Sequence, residues 1–554
     1  MVEQQSQFLT YFSKKQPDRK PSYSMAQGIG LVLGPLLFLL TLLFFKPNDL
    51  GFQGIYVLAI TAWIAVWWIT EAIPIPATSL LPLILLPLGK VMDSATVAAQ
   101  YGNDIIYLFL GGFILAIAME RWDLHTRIAL TIINGIGTST GRILLGFMVA
   151  TGGLSMFVSN TAAVMIMIPI GLAIVKEVHE LKTDQANDES ISKFERSLVL
   201  GIGYAGTIGG LGTLIGTPPL IILKGQYASH FGEELSFARW MMVGVPAVIL
   251  LLFLAWVYFK FIAFKHDMKV LPGGKKVIQD KLTALGKIKY EEKVVFTVFL
   301  LASFLWVSRE FLLAKWGPTE FVADGTIAMF VSVLLFLIPA KHQHRRIIDW
   351  DIAKDLPWGV LILFGGGLAL AKGIQDSGLA KWLGEQLTLL NGVSPIVIVI
   401  IITVFILFLT EITSNTATAT MILPILATLS VAIHVHPLLL MIPAAMAANC
   451  AYMLPVGTPP NAIVFGTGKI QIKEMALKGF VMNMISIVVI ILVVYFLVPP
   501  ILGIDITQVY QSKTNLRRLA QVIVSFLFLY CVYLEKIMKK SKISRVIILR
   551  KGVA

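Results

Sequence analysis

Charge is scarce in this chain of 554 residues: Asp, Glu, Lys and Arg make up 14% of it, against about a quarter in a soluble domain. That excludes an ordinary water-soluble globule. Cysteine is scarcer, with Cys450 and Cys531 both in apolar segments. Two such thiols exclude a disulfide framework and a thiolate metal cluster, and both are read as buried and inert. There is no HExxH pair and no paired acid–base constellation, which argues against an intramembrane enzyme. A spread of basic charge suited to nucleic acid is also missing. The net charge is +13, but ten Lys/Arg against one Glu lie from Lys513 onward, so the excess belongs to the tail and no nucleic-acid partner is expected.

Apolar residues are abundant, at 56% of the chain. Many runs reach the roughly 20 residues that carry a helix across about 30 Å of hydrocarbon. The first, Met25 to Phe45, follows the basic lead "KKQPDRK" and precedes no small-residue cleavage pattern, so it reads as a retained span. The fold class expected is an all-α polytopic membrane protein of about 11 spans plus two hairpins, in a lipid bilayer. Its parts are an N-terminal segment at 1–22, a first repeat at 23–264, a basic linker at 265–293, a second repeat at 294–508 and a basic extension at 509–554. The positive-inside rule makes the linker "KHDMKVLPGGKKVIQDKL" cytoplasmic, and with it the N-terminus.

Two apolar runs, 143–177 and 394–433, are too long for one span with ordinary tilt. Each is predicted to be a re-entrant hairpin. Near the middle of each lies the same polar triplet, Ser159-Asn160-Thr161 in "FVSNTAAVMIMIP" and Ser414-Asn415-Thr416 in "SNTATATMILP". An offset of 255 residues relates the triplets, and it also carries Pro424 onto Pro169, Thr410 onto Ser155, and "FGGGL" at 364–368 onto "FLGGF" at 109–113. Downstream, "GTPP" recurs at Gly216–Pro219 and Gly457–Pro460. Several matches at one offset indicate an internal duplication. With the linker cytoplasmic, an odd number of crossings separates equivalent elements, so the two repeats have inverted topology, an architecture of secondary transporters.

Two consecutive prolines remove backbone donors and clash with the preceding turn, and glycine just upstream lets the chain unwind. The helices at 197–223 and 437–467 should therefore break at GTPP. Free carbonyls at such a break suit Na⁺, and the N-terminus of the second half-helix points positive dipole across the gap. Each repeat is thus expected to build one cation pocket facing its hairpin tip. Ser155, Ser159, Asn160 and Gly216 would line the first, and Thr410, Thr413, Asn415 and Gly457 the second. Oxygen ligands without a carboxylate suit a monovalent hard ion, because Mg²⁺ or Ca²⁺ would recruit Asp or Glu. Between the pockets, the amides and hydroxyls with Thr217 and Thr458 can hold the two ends of a short dianion. No Lys or Arg lies in either motif, so the charge that balances the anion comes from Na⁺ and helix dipoles.

The stretches "SNTAAVMIMIPI", "GTLIGTPP", "TSNTATATMILPILATLS" and "MLPVGTPPNAIVFG" resemble the divalent anion:sodium symporter family, most closely its bacterial sodium-dependent dicarboxylate transporters, over about residues 20–508. The resemblance implies symport of Na⁺ with C4-dicarboxylates (succinate, fumarate, malate) at the plasma membrane. It also implies a homodimer whose transport domain moves as an elevator. It places the substrate carboxylates on Ser159, Asn160, Thr161, Ser414, Asn415 and Thr416, with Thr458 and Pro459 lining the site. An exchanger of the same fold without Na⁺ coupling is the alternative. Two departures stand out. Leu220 follows the first GTPP where Asn461 follows the second, and the apolar stretch Leu519–Leu534 suggests an extra membrane segment in the tail.

Other polar features read more plainly. "GGGLALAKG" is expected to be helix packing, since it lacks the GK[ST] ending of a phosphate loop. Asp104, Glu71 and Glu411 are intramembrane acids or near to it. Glu71 beside Trp67-Trp68 reads as interfacial, and Glu411 as a site-supporting or structural hydrogen-bonding group. His434 and His436 read as loop residues.

Overall fold

The computed structural model describes residues 23–504, apart from 48, 138, 181–187, 266–267, 269–273, 312–321, 342–344 and 388–393. The segment 1–22, the extension 509–554 with its suggested extra span, and Cys531 lie outside the described residues. Those described are helical, and their only extended pairing is an isolated bridge between Pro339 and Arg346. Among the described residues, eight helices are long and apolar enough to cross a membrane, and four shorter apolar helices accompany them.

Both long runs fold as hairpins. Helices Thr140–Ser155 and Asn160–Glu180 form the first, and Pro395–Thr410 and Asn415–Ala432 the second. Three of these four bounds repeat at an offset of 255, so the duplication extends to helix ends. Each tip turns at the polar triplet, and at the first the serine offers the backbone a local hydrogen bond that an apolar turn lacks, whereas Ser414 makes no such cap. Ser159 Oγ accepts from Ala162 N at 3.3 Å and so caps its helix. The helix breaks are longer than the two prolines alone require. The first helix, Asp188–Gly209, continues as a tight turn at Gly210–Gly212 before Pro218–Phe231 begins, and the second leaves residues 450–458 unwound between Pro437–Asn449 and Pro459–Gly466. In both, proline opens the second half, where its missing N–H costs nothing.

The contacts bear out the inversion. Thr140 Oγ1, at the mouth of the first hairpin, donates to the Met268 carbonyl of the basic linker at 2.6 Å. The first broken helix starts on that side, where Arg196 pairs with Glu474 (2.9 Å) and sits over the Phe264 ring. It ends on the other side at Tyr227, whose hydroxyl donates to Glu233. There Tyr227 meets His436, at the mouth of the second hairpin, with ring centroids 6.5 Å apart. His436 also caps Pro437–Asn449, accepting from Leu438 N at 3.3 Å. The hairpins therefore enter from opposite sides.

Some elements depart from the apolar runs. The run at 72–90 is two short helices, Ile75–Thr78 and Leu81–Leu88, because Pro74, Pro76, Pro82 and Pro87 interrupt it. Two amphipathic helices, Leu124–Ile136 and Leu379–Leu387, start 255 residues apart and escape a search for continuous hydrophobicity. A helix at Gly274–Ala284 lies within the basic linker. "FGGGL" is helix packing, as expected: a Cβ on Gly366 would fall 2.4 Å from the Ser79 carbonyl oxygen. On the side away from the linker, buried Asp324 accepts from Lys224 and, at 2.9 Å, from Arg309, which reaches Glu234 at 3.1 Å. Cys450 is a buried free thiol, as expected.

Candidate functional site

The two tips and the two breaks close around one cavity of about 770 Å³. Ser159, Asn160, Thr161, Ser414, Asn415 and Thr416 all line it, as do Gly216, Thr217, Gly457, Thr458 and Pro459. Its mouth carries Ser24, Gln27, Glu71, Glu120 and Asp355, and no lining residue is Lys or Arg. This mouth lies on the side of the linker, because Arg127, just beyond the helix that ends near Glu120, binds Glu292 and the Gly286 carbonyl there. Glu71 ends Phe52–Thr70 with φ 48°, exposed at the mouth.

At the first tip, one end of the Asn160 amide stands 2.7 Å from Ser155 Oγ and 3.2 Å from both the Gly206 and Gly216 carbonyl oxygens. Ser155 Oγ also donates to Gly206 O at 2.6 Å. With the amide oxygen at that end, Nδ2 donates to Asn449 Oδ1 at 3.3 Å, but oxygens crowd one another at the break. Turned over, the nitrogen donates to the two carbonyls, but the amide oxygen then faces Asn449 Oδ1. A hard cation among the four oxygens satisfies both sides at once. Gly216 must be glycine here, since a Cβ would fall 2.5 Å from the Gly210 carbonyl oxygen.

The second tip repeats the pattern. Thr410 Oγ1 stands 2.6 Å from Asn415 Oδ1 and 2.8 Å from the Ala448 carbonyl oxygen, as Ser155 stands to Asn160 and Gly206. Gly457 packs against the Glu411 carbonyl. Thr413 is more committed than the sequence suggests. Its hydroxyl lies 2.8 Å from Leu409 O and 2.6 Å from Thr418 Oγ1, which leaves it one lone pair at most for a cation. Ser155, Thr410 and Thr413 are buried, whereas Ser159 is exposed to the cavity.

The two threonines of GTPP are not equivalent. Thr217 Oγ1 donates to Asn449 Oδ1 at 2.6 Å, whereas Thr458 Oγ1 accepts from Asn461 N at 3.4 Å and caps its half-helix. Asn461 in turn donates to Ala451 O and Leu454 O, both at 3.1 Å, and so shapes the second break where Leu220 cannot shape the first.

Sequence reasoning missed Asn449. Fully buried, it accepts from Thr217 and Asn160, donates to Thr207 O at 2.6 Å, and offers its own carbonyl to Asn415 Nδ2 at 3.4 Å. It joins both tips and the first break. The two GTPP motifs lie 241 residues apart, and at that offset its counterpart in the first repeat is Ile208, so no repeat signal marks it. The signal available was an amide in an apolar helix ahead of a break.

Sequence reasoning, which found no GxSxG, also passed over "GTSTG" at Gly137–Gly141, which spells the letters of a hydrolase elbow. Ser139 only caps the first hairpin, accepting from Arg142 N at 3.4 Å.

Inverted repeats, each a hairpin facing a broken helix, around one cavity define a secondary transporter. The chain belongs to the divalent anion:sodium symporter family: a model described as the sodium:sulfate symporter transmembrane region matches residues 27–503. It is 76% identical over 510 residues to the sodium-dependent dicarboxylate transporter SdcS of Staphylococcus saprophyticus, covering 92% of this chain and 98% of that one. It is 73% identical over 508 residues to the protein of the same name from Staphylococcus aureus strain MRSA252, covering 91% and 97%. The resemblance read from the motifs is borne out.

Proposed function

We propose that this chain is a Na⁺-coupled symporter that imports C4-dicarboxylates, succinate, fumarate and malate among them, across the plasma membrane. One observation carries the reading. A cavity of about 770 Å³ ends on two oxygen clusters, has three exposed acids at its mouth and is lined by no Lys or Arg. Such a cavity attracts cations and repels a free dianion. An anion is held there only after positive charge has entered, which is the physical basis of coupling. The names of the relatives, sodium-dependent dicarboxylate transporters, support Na⁺ and a dicarboxylate as the transported pair.

In this reading Ser155, Asn160, Gly206 and Gly216 hold one Na⁺, and Thr410, Asn415, Ala448 and Gly457 the other, with Ser159 and Thr413 at their edges. The Ser-Asn-Thr residues, with Thr458 and Pro459, take the two carboxylates, and Thr217 acts through Asn449. The hairpins and half-helices move together as an elevator against the remaining helices in a homodimer, with the N-terminus and the mouth seen here cytoplasmic. Calorimetric titration of succinate into the purified protein tests the site. Binding is expected in Na⁺ and not in equal K⁺, with malate and fumarate competing and sulfate competing weakly. Equal binding in K⁺ would overturn it.

A further inference from the structure

The segments that build the two pockets, 155–161, 210–218, 410–416 and 450–458, contain one charged residue, Glu411. At the offset of 255 its place in the first repeat is taken by Met156. The acid is fully buried at the second tip. Its Oε1 accepts from Tyr452 N at 2.8 Å, Met453 N at 3.1 Å and Asn483 Nδ2 at 2.8 Å, and its Oε2 from Met453 N at 3.0 Å and Leu454 N at 3.3 Å. Three consecutive backbone donors of the unwound stretch thus find their acceptor in one side chain. The first break has no such anchor. There Thr213 Oγ1 donates to the Met156 carbonyl, a neutral tether.

This anchor reaches the pocket. A Cβ on Gly457 would stand 3.4 Å from Glu411 Oε2 and 3.3 Å from its carbonyl oxygen. Thr410, whose hydroxyl meets Asn415 and Ala448, precedes Glu411 in the chain. The five hydrogen bonds to the carboxyl all come from neutral N–H donors, the surroundings of a carboxylate rather than of a protonated acid, and no Lys or Arg among the described residues pairs with it. Its negative charge therefore acts on a nearby cation without a counter-ion among the described residues.

We propose that Glu411 is a positioning residue that makes the second pocket the tighter Na⁺ site: it pins residues 452–454 to the second hairpin tip and sets beside that pocket the one charged residue of the pocket-building segments. Na⁺ then enters in order, the second pocket first and the first pocket after it. The inference rests on the two-pocket reading above.

The experiment is a Na⁺ titration of thermal unfolding in detergent, with K⁺ holding ionic strength constant, on wild type and four variants. Wild type is expected to show a Na⁺-specific rise in melting temperature. If it shows none, the two-pocket reading fails before Glu411 is tested. Asn160→Ala should keep the high-affinity part of the rise and Asn415→Ala should lose it. Glu411→Gln should raise the half-saturating Na⁺ at least tenfold. Asn483→Leu, which removes a donor but leaves the charge, should lower the melting temperature while its half-saturating Na⁺ stays within threefold of wild type. A purely structural role predicts that Glu411→Gln and Asn483→Leu behave alike. Wild-type Na⁺ half-saturation in Glu411→Gln overturns the proposal. Should that variant fail to fold, loss of the high-affinity step in Asn160→Ala with its retention in Asn415→Ala overturns it equally.

Discussion

Replacing Asn449 by alanine removes one amide from the middle of the site. Thr217 then loses its acceptor at 2.6 Å, the Thr207 carbonyl its donor at 2.6 Å, and the Asn160 amide its partner at 3.3 Å. Asn449 is itself fully buried and does not line the cavity. Each buried group left unpaired costs about 1–3 kcal/mol, so three of them cost on the order of 3–9 kcal/mol. That is large beside a typical net folding stability of about 5–15 kcal/mol. Asn449→Asp separates the terms: it keeps an acceptor for Thr217 but sets a second oxygen against the Thr207 carbonyl. Unfolding followed by tryptophan fluorescence in detergent measures the cost, and Na⁺-dependent uptake measures the function. Both variants should melt earlier than wild type, alanine the more so, and alanine should not transport. A wild-type melting temperature with normal uptake in Asn449→Ala would refute the hub.

Further outcomes follow from the same geometry. Asn160→Ala and Asn415→Ala should each abolish uptake, since each removes an oxygen facing a break and a cavity-lining amide; near-normal transport would remove that residue from the site. Thr161→Ala should raise the substrate KM and leave Na⁺ dependence unchanged, and the reverse would reassign it to a cation pocket. Gly366→Ala drives a Cβ to 2.4 Å from Ser79 O at a position that does not line the cavity; it should lower the yield of folded protein without altering the Na⁺ half-saturation of what folds. Lys224→Met breaks a buried pair with Asp324. A loss of about 3–5 kcal/mol is the ordinary cost of stranding one partner, and Arg309, still 2.9 Å from Asp324, should hold the loss near the lower figure, as melting temperatures would show.

The hairpins were legible because each long apolar run holds a polar triplet that an apolar helix would not carry. The duplication was legible because Ser155 and Thr410, the two triplets, and Pro169 and Pro424 recur at one offset; the structure extends it to helix ends, Thr140 with Pro395 and Leu124 with Leu379. Asn449 was not legible, because its connections run across 289 residues to Asn160 and 242 to Thr207, and no local pattern records such pairs. The length of the breaks was hidden for a related reason. Proline marks where a half-helix can begin. Where the preceding half ends depends on what receives its carbonyls and the N–H groups beyond: Ser155 for Gly206, Thr410 for Ala448, Glu411 for 452–454. The amphipathic helices escaped because hydrophobic runs were sought, and half of each helix is polar.

Radiolabelled succinate uptake into proteoliposomes is the most direct test of the central claim, with an inward Na⁺ gradient or an equal K⁺ gradient, and vesicles either empty or loaded with cold succinate. The account predicts uptake that needs Na⁺ and no internal succinate. Uptake that ignores Na⁺ but requires internal succinate would contradict it, and the oxygen clusters at the two tips would then be hydrogen-bonded structure in an exchanger.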